Sequence, residues 1–361
     1  MVVESGIRVI RVVTPPRKNI LFFLRGLSEM ITPWFFRRAI QKYGCPPYDL
    51  IVTYSPSLQL AKMSADLKKK WGARYILNVQ DIFPQNAIDL GILKNTALIR
   101  FYEKIEKAAY QAADLITSHT ENSKRFLIEK KSVPKSKIRL VQNWIDVARY
   151  HKAKRKGKYR YKLRINQTIV ILFAGIMGPA QGLDLILEAA YQLRTSKNIC
   201  FFLVGDGSAR KDLEWKAAAL RLRNVIFHDF IAVSEYPELV KDADIGLISL
   251  SKSNKTPVVP GKVLGFMAAG IPVLAFLNRE SDGHALIARA KCGISAPATV
   301  SAKEAADLIR RFCVKDSTFS TLGKNGYRYV KAHHDCRSCL DAYVAMVMKV
   351  AAPDLGRKKT P

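Results

Sequence analysis

Three glycine-bearing turns and one lysine are the residues here best suited to hold a phosphate. Phe173-Ala-Gly-Ile-Met-Gly-Pro-Ala-Gln-Gly182 follows an apolar run and precedes a helical one. Missing side chains in such a turn let backbone N–H groups reach an anion at a helix N-terminus. The glycines could equally serve turn geometry alone, and the segment fits neither the dinucleotide fingerprint nor the P-loop. Gly205-Asp-Gly207 is ambiguous in the same way. The segment from Pro260 to Ala275 says more. Lys262 opens a short helix, so its cation and the helix dipole attract an anion from the same place. The helix stops at Gly270, and Ile-Pro-Val resumes a strand. Small residues at Gly265, Ala268 and Ala269 allow close approach. Rival chemistry has weaker carriers. His333-His334-Asp335-Cys336 with Cys339 offers four possible metal ligands, yet Asp335 also suits the cap of a helix over Ser338–Val350. His119 and His228 are single histidines near strand ends, and no G-x-S-x-G anchors a hydrolase triad.

The elements that must position these residues alternate. After residue 160 strands are expected at Ile169–Ala174, Ile199–Val204, Asn224–Phe227, Ile245–Ser249 and Val273–Ala275. Helices are expected at Leu183–Arg194, Ala209–Leu222, Glu235–Asp242, Lys262–Ala269, Gly283–Ala290 and Ala302–Phe312. Earlier, strands at Leu50–Tyr54, Arg74–Val79, Leu115–Thr117 and Ile138–Val141 alternate with helices at Leu58–Lys70, Ile99–Ala112 and Ser123–Lys130. Continuous Val/Ile/Leu strands between amphipathic helices indicate parallel sheets covered on both faces. Two α/β domains in tandem follow, over residues 1–160 and 161–330, with a C-terminal helix and basic tail over 331–361. Ligands of such sheets bind beyond the carboxyl ends of the strands, so a cleft between the domains is the expected active site.

Charge and length bound the function. The 361 residues carry 59 Lys+Arg against 30 Asp+Glu, a net of +29, with 48% hydrophobic residues. That is too apolar for a disordered polycation. No run approaches a membrane span, and six scattered cysteines do not read as a disulfide scaffold. Residues 1–164 hold 33 basic and 12 acidic side chains, a net of +21. Such a field implies an anionic partner: nucleic acid, an anionic membrane surface or a phosphorylated substrate. Eight bases fall within Lys152–Arg164, which reads as an exposed linker or solvated face ahead of the domain boundary.

Taken together, Gly175–Gly182, Val204–Gly207 and Pro260–Ala275 resemble the donor domain of a family 4 glycosyltransferase with the GT-B fold, two Rossmann-like domains whose parallel sheets face across a cleft. Val79-Gln-Asp-Ile-Phe-Pro-Gln-Asn86, Leu90–Leu93, Asp114–Thr117 and Val141–Asp146 resemble the sugar transferases of bacterial capsule, colanic acid and O-antigen assembly, fucosamine transferase-like proteins among them. The resemblance implies a retaining, metal-independent transfer from a nucleotide-sugar, with no resident cofactor. It places donor contacts at Gly175, Gly178, Gly207, Pro260, Gly261 and Lys262, with Lys262 neutralising the departing diphosphate. It places Asp81 against the reacting sugar; the alternative is a helix cap before Ile82.

The sequence also departs from that pattern. Relatives often carry two glutamates where this chain has Pro257 and Gly265, and a basic residue where it has Gln181. Ribose and phosphate contacts then fall more heavily on Lys262, with Asp282 as a further candidate. The family also opens with a strand, glycine turn and helix before the segment resembling Gly6–Arg11, and the sequence here starts almost at that segment. The resemblance therefore implies an acceptor domain lacking its first βα unit.

Pro16–Ile40 mixes aromatics with arginines. Trp34, Phe35, Arg37 and Arg38 fit an interfacial helix, apolar side in the acyl boundary and basic side on anionic headgroups; an ordinary helix packed on its own sheet is the alternative. The leading expectation is a peripheral inner-membrane glycosyltransferase acting on a polyprenyl-diphosphate-linked glycan. The rivals are a noncatalytic or partner-dependent homologue, a nucleotide-sugar 2-epimerase, and a nucleic-acid-binding protein, for which no RRM, KH, zinc-finger or helix-turn-helix signature appears.

Overall fold

The computed structural model describes residues 1–16, 22–55, 58–314 and 317–351. Residues 17–21 of the basic N-terminal segment and 352–361 of the expected basic tail lie outside the described residues. The chain forms two compact units. The first takes residues 1–88, 93–141 and the chain from Val344; the second takes Asp89–Ile92 and Gln142–Tyr343. The boundary therefore falls at Val141/Gln142, not near 160.

In the first unit β1 (Val2–Glu4) and β2 (Ile7–Val9) form an exposed antiparallel pair. Helix α1 (Phe22–Lys42) follows. Then come β3 (Leu50–Ser55), α2 (Leu58–Trp71), β4 (Arg74–Val79), α3 (Gln85–Asp89), α4 (Thr96–Ala112), β5 (Leu115–Ser118), α5 (Glu121–Lys131) and β6 (Ile138–Leu140). The sheet is parallel, in the order β3-β4-β5-β6. Tyr75, Leu77 and Val79 alternate on one face of β4 and pack with Leu58 of α2, Ala109 of α4 and Leu127 of α5. β3 is an edge strand, and its Val52 and Tyr54 are exposed.

The second unit contains α6 (Val147–Lys152), α7 (Lys158–Lys162), β7 (Ile169–Ala174), α8 (Leu183–Gln192), β8 (Ile199–Val204), α9 (Arg210–Ala219), β9 (Val225–His228), α10 (Tyr236–Asp242), β10 (Ile245–Ser249), α11 (Lys262–Ala269), β11 (Val273–Leu277), α12 (Gly283–Ala290), β12 (Gly293–Pro297), α13 (Ala302–Phe312) and α14 (Ser317–His333). Helix α15 (Cys336–Ala351) ends the described chain. The six strands are all parallel, in the order β12-β11-β10-β7-β8-β9. Their continuous apolar runs have a simple cause. Ile169, Ile171 and Phe173 of β7 enter one core cluster, and Val170, Leu172 and Ala174 enter the other. A sheet buried on both faces needs apolar residues at every position.

The basic run Lys152–Arg164 is not a solvated linker. It folds onto the second unit, with Tyr159 buried. Asp242 Oδ1 accepts from the Lys156 and Gly157 N–H groups at 2.9 and 2.8 Å. Lys156 pairs with Glu238 at 2.7 Å and Lys158 with Glu235 at 2.9 Å. Arg155 and Arg160 both grip Asp244, whose carboxylate also accepts the Val170 N–H at 2.8 Å. Burial alone would raise the Asp244 pKa; the Val170 N–H and the two arginines bring it below the usual value. Local composition could not reveal this, because the four acids lie about 80 residues downstream in the sequence.

Candidate nucleotide-sugar site

The carboxyl ends of β7, β8 and β10, with the head of α11, carry the glycine turns of the second unit. Two of these turns are stitched together by backbone. The Gly175 N–H donates to Val204 O at 2.8 Å, Met177 N–H to Asp206 O at 2.8 Å, and Ala209 N–H to Met177 O at 3.0 Å. Glycine is required at these crossings. Gly205 has φ +142°, and a Cβ there would meet Gly175 O at 1.9 Å. At Gly207, φ is +154° and a Cβ would meet Met177 O at 2.3 Å. Gly207 thus allows the close approach of two loops.

Lys262 stands at the first position of α11. Its Nζ donates to Gln181 Oε1 at 2.7 Å and lies 4.9 Å from the centre of the Phe173 ring. Gly175 leaves the room that its stem fills, since a Cβ there would meet Lys262 Cε at 2.5 Å. Burial pushes the lysine pKa down to about 8. Gln181 thus holds the lysine amine. Gly178 caps the short 3-10 turn Pro179–Gln181 that presents it.

The segment leading to Pro260 is pinned from behind. Thr256 N and Oγ1 donate to Asn254 Oδ1, Asn278 Nδ2 donates to Thr256 O at 3.3 Å, and Ser281 Oγ donates to Val258 O at 2.6 Å. No local sequence pattern links Asn254 and Thr256 to Asn278 and Ser281, so these positioning residues went unseen. Pro260 is buried, while Gly261 is exposed with nothing near its missing Cβ. Gly265 is buried, its Cβ position 3.1 Å from the Tyr150 hydroxyl and 3.6 Å from Tyr236. A tyrosine therefore occupies the space beside it. Asp282 is partly buried and heads α12, and Gly283 beside it lies near Pro260.

In the first unit Asp81 follows β4 and reaches the surface. It does not cap a helix, because α3 starts only at Gln85. Desolvation raises its pKa, and the nearby His119 after β5 opposes the rise. Tyr54 of β3 feels the same carboxylate: desolvation and then Asp81 raise the phenol. Three adjacent strand ends thus bring together an acid, an imidazole and a phenol. Tyr54 was missed because one tyrosine at a strand end carries no motif.

The basic helix also differs from expectation. Trp34, 55% exposed, meets Phe35 edge-on at 4.9 Å and Arg38 at 5.4 Å. Arg37 pairs with Asp66 of α2. Apolar and basic residues do not occupy opposite sides of α1; Leu27, Met30, Ile31 and Trp34 form an exposed stripe that Arg38 continues, while Ser28 and Thr32 are buried. No described helix is long and apolar enough to cross a membrane. His334 of the histidine–cysteine run meets Asn143 O at 2.8 Å, and no group of three or more possible metal ligands gathers among the described residues.

Both units match known domains. Residues 168–313 match the family described as glycosyl transferases group 1. Residues 1–144 match the glycosyl transferase 4-like domain. The chain belongs to the family 4 glycosyltransferases. It is 27% identical over 262 residues to WcaI of Escherichia coli K12, a protein named for glycosyl transfer in colanic acid biosynthesis. That match takes 71% of this chain but only 63% of the relative, less than two thirds of its length. It is 24% identical over 285 residues to WbjE of Pseudomonas aeruginosa, named as a glycosyltransferase, covering 78% of this chain and 70% of that one. The fold is GT-B: HepE of Anabaena, solved in complex with UDP, superposes with a TM-score of 0.69 at 17% identity, over 87% of this chain and 82% of that one.

Proposed function

We propose that this family 4 glycosyltransferase moves a sugar from a nucleotide-sugar, a UDP-sugar foremost, to a lipid-linked glycan during assembly of a bacterial surface polysaccharide. The observation that carries the reading is Lys262, a largely buried cation at the head of α11 whose polar partner is the neutral Gln181. Such an amine suits a diphosphate, which would supply the anion the site lacks. As the C1–oxygen bond to the diphosphate breaks, negative charge grows on the leaving oxygen, and Lys262 stabilises it. The acceptor hydroxyl attacks C1 on the face the diphosphate leaves, with retention, and its proton passes to the leaving phosphate. The charge balance is met by Lys262 and the α11 dipole, so the reaction is proposed to run without a metal.

Asp81 is assigned to the reacting sugar, accepting a hydrogen bond from a hydroxyl. His119 tunes that carboxylate, and the carboxylate in turn raises the Tyr54 phenol. The name of WcaI supports the pathway, that of WbjE the reaction class, and the UDP in HepE the donor. The lipid-linked acceptor and the inner face of the plasma membrane are assigned from the exposed α1 stripe. Nucleic-acid binding is the weaker reading: no recognition motif supports it, and four bases of the densest basic run, Lys152–Arg164, are paired with acids of the second unit.

Titration of purified protein with UDP, then a panel of UDP-sugars with release of UDP followed in the presence of lipid-linked glycan, tests the reading. Micromolar UDP binding that depends on Lys262 is expected. Absence of UDP binding, or binding unchanged in Lys262→Met, would sink it.

A further inference from the structure

Helix α1 turns its apolar residues outward. Leu27, Met30, Ile31 and Trp34 are 53%, 41%, 41% and 55% exposed. Spacing of three and four puts them on one face. The opposite, buried positions are Ser28, which donates to Pro15 O at 3.1 Å, and Thr32, which donates to Ser28 O at 2.8 Å. Half-buried Phe35 and Phe36 share that inward side with them, so α1 packs one side on the unit and leaves a second, apolar stripe in water.

Beside this stripe, α1, α2 and α4 enclose a cavity of about 510 Å³. Met30 and Trp34 form one wall, Met63 another and Ile105 a third, and alanines of α2 and α4 leave the hollow between them. Its volume lies within the range of small-molecule sites. Gln59 lines it, is only 7% exposed, and its Nε2 has no hydrogen-bond partner. A buried amide donor left unpaired is costly, which favours a polar atom arriving with an occupant. Arg37 and Lys62 complete the lining, Lys62 exposed and Arg37 shared with Asp66. Arg38 sits over Trp34.

An apolar hollow continuous with an apolar stripe and edged by cations fits one class of molecule. We propose that the cavity holds the hydrocarbon tail of an anionic, single-chain phosphate amphiphile whose head rests on Lys62, Arg37 and Arg38. The inference deepens the membrane-surface part of the proposed function and rests on it for its biological setting. Its physical claim is independent, since it concerns a molecule bound without a bilayer.

The test is calorimetric titration with octyl, decyl and dodecyl phosphate below their micellar concentrations. Binding at one site per chain is expected, tightening roughly fourfold for each added methylene. Inorganic phosphate should bind at least 100-fold more weakly than dodecyl phosphate. Ala108→Phe, at an exposed position on the wall, should weaken dodecyl phosphate at least 10-fold with unchanged thermal unfolding and unchanged UDP binding. Lys62→Glu should weaken it several-fold. Affinity independent of chain length, or inorganic phosphate binding as tightly, overturns the tail site. Dodecyl maltoside binding as tightly as dodecyl phosphate overturns the role of the cations. Should Ala108→Phe fail to fold, the chain-length series on the unmodified protein still decides. Sedimentation with anionic vesicles separates the two readings: lost sedimentation with intact amphiphile binding defeats the membrane assignment alone, and the reverse defeats the cavity alone.

Discussion

Lys262 Nζ donates a 2.7 Å hydrogen bond to Gln181 Oε1, joining the head of α11 to the turn after β7. The pair sets a buried amine against a neutral amide, so the cation keeps its full appetite for an anion. Replacing Lys262 by methionine should weaken UDP about 10- to 100-fold, the range expected when a charge-assisted hydrogen bond is lost. The ligand-free variant should unfold no earlier than the parent, because a desolvated charge has been removed. Calorimetric titration and a thermal melt check the two halves.

The same pair makes binding pH-dependent. Burial lowers the Lys262 pKa to about 8. A bound diphosphate favours the charged amine and raises that pKa again. Near neutral pH the amine is already protonated and binding takes up little. From pH 8 to 9 an increasing share of the free protein is deprotonated, so UDP should bind with uptake of about half a proton or more, and affinity should fall as pH rises. Titrations in buffers of different ionisation enthalpy measure the uptake. Lys262→Met should abolish it.

Glycines of the site divide into two kinds. Gly205→Ala places a Cβ against Gly175 O at 1.9 Å and at φ +142°, so the two loops must part. A stability loss above about 2 kcal/mol is expected, together with weaker UDP binding. Gly261→Ala meets open space and should cost little of either. Denaturant unfolding and UDP titration on both variants distinguish the two behaviours.

Asp244 holds the basic run to β7. Removing its charge leaves Arg155 and Arg160 without their shared partner, and Asp244→Asn should cost about 3 kcal/mol. The pKa is lowered in the folded state, so this stabilisation is present above the unfolded pKa. It is lost only as pH falls through the still lower folded value. Urea unfolding of parent and variant from pH 7 down to pH 3 should show a gap that narrows on acidification.

Asp81→Asn keeps shape and removes charge. If the carboxylate holds the reacting sugar, transfer should fall about 100-fold while UDP affinity stays within twofold. Equal loss in both would assign Asp81 to the fold.

Much of the architecture was legible because it is written in short-range pattern. Continuous apolar runs such as Ile169–Ala174 and Ile199–Val204 announced parallel strands buried on both faces, and Gly270 and the Lys262 start marked the ends of α11. The glycine turns and Lys262 were visible for the same reason: each is one contiguous segment at a strand end. What remained hidden depends on groups far apart in the chain. The run Lys152–Arg164 looks solvated until folding delivers Glu235, Glu238, Asp242 and Asp244 to it. Gly265 looks available until Tyr150 closes on it. Tyr54, Asp81 and His119 acquire a common environment only when β3, β4 and β5 lie side by side. By itself the sequence determined most of the strands and helices, since backbone sterics and periodic burial act within a few residues, and its family resemblance pointed to the reaction class and to Lys262. Only the tertiary structure decided which charges are spent and which side of α1 faces water, because electrostatic pairing and burial are properties of neighbours in space.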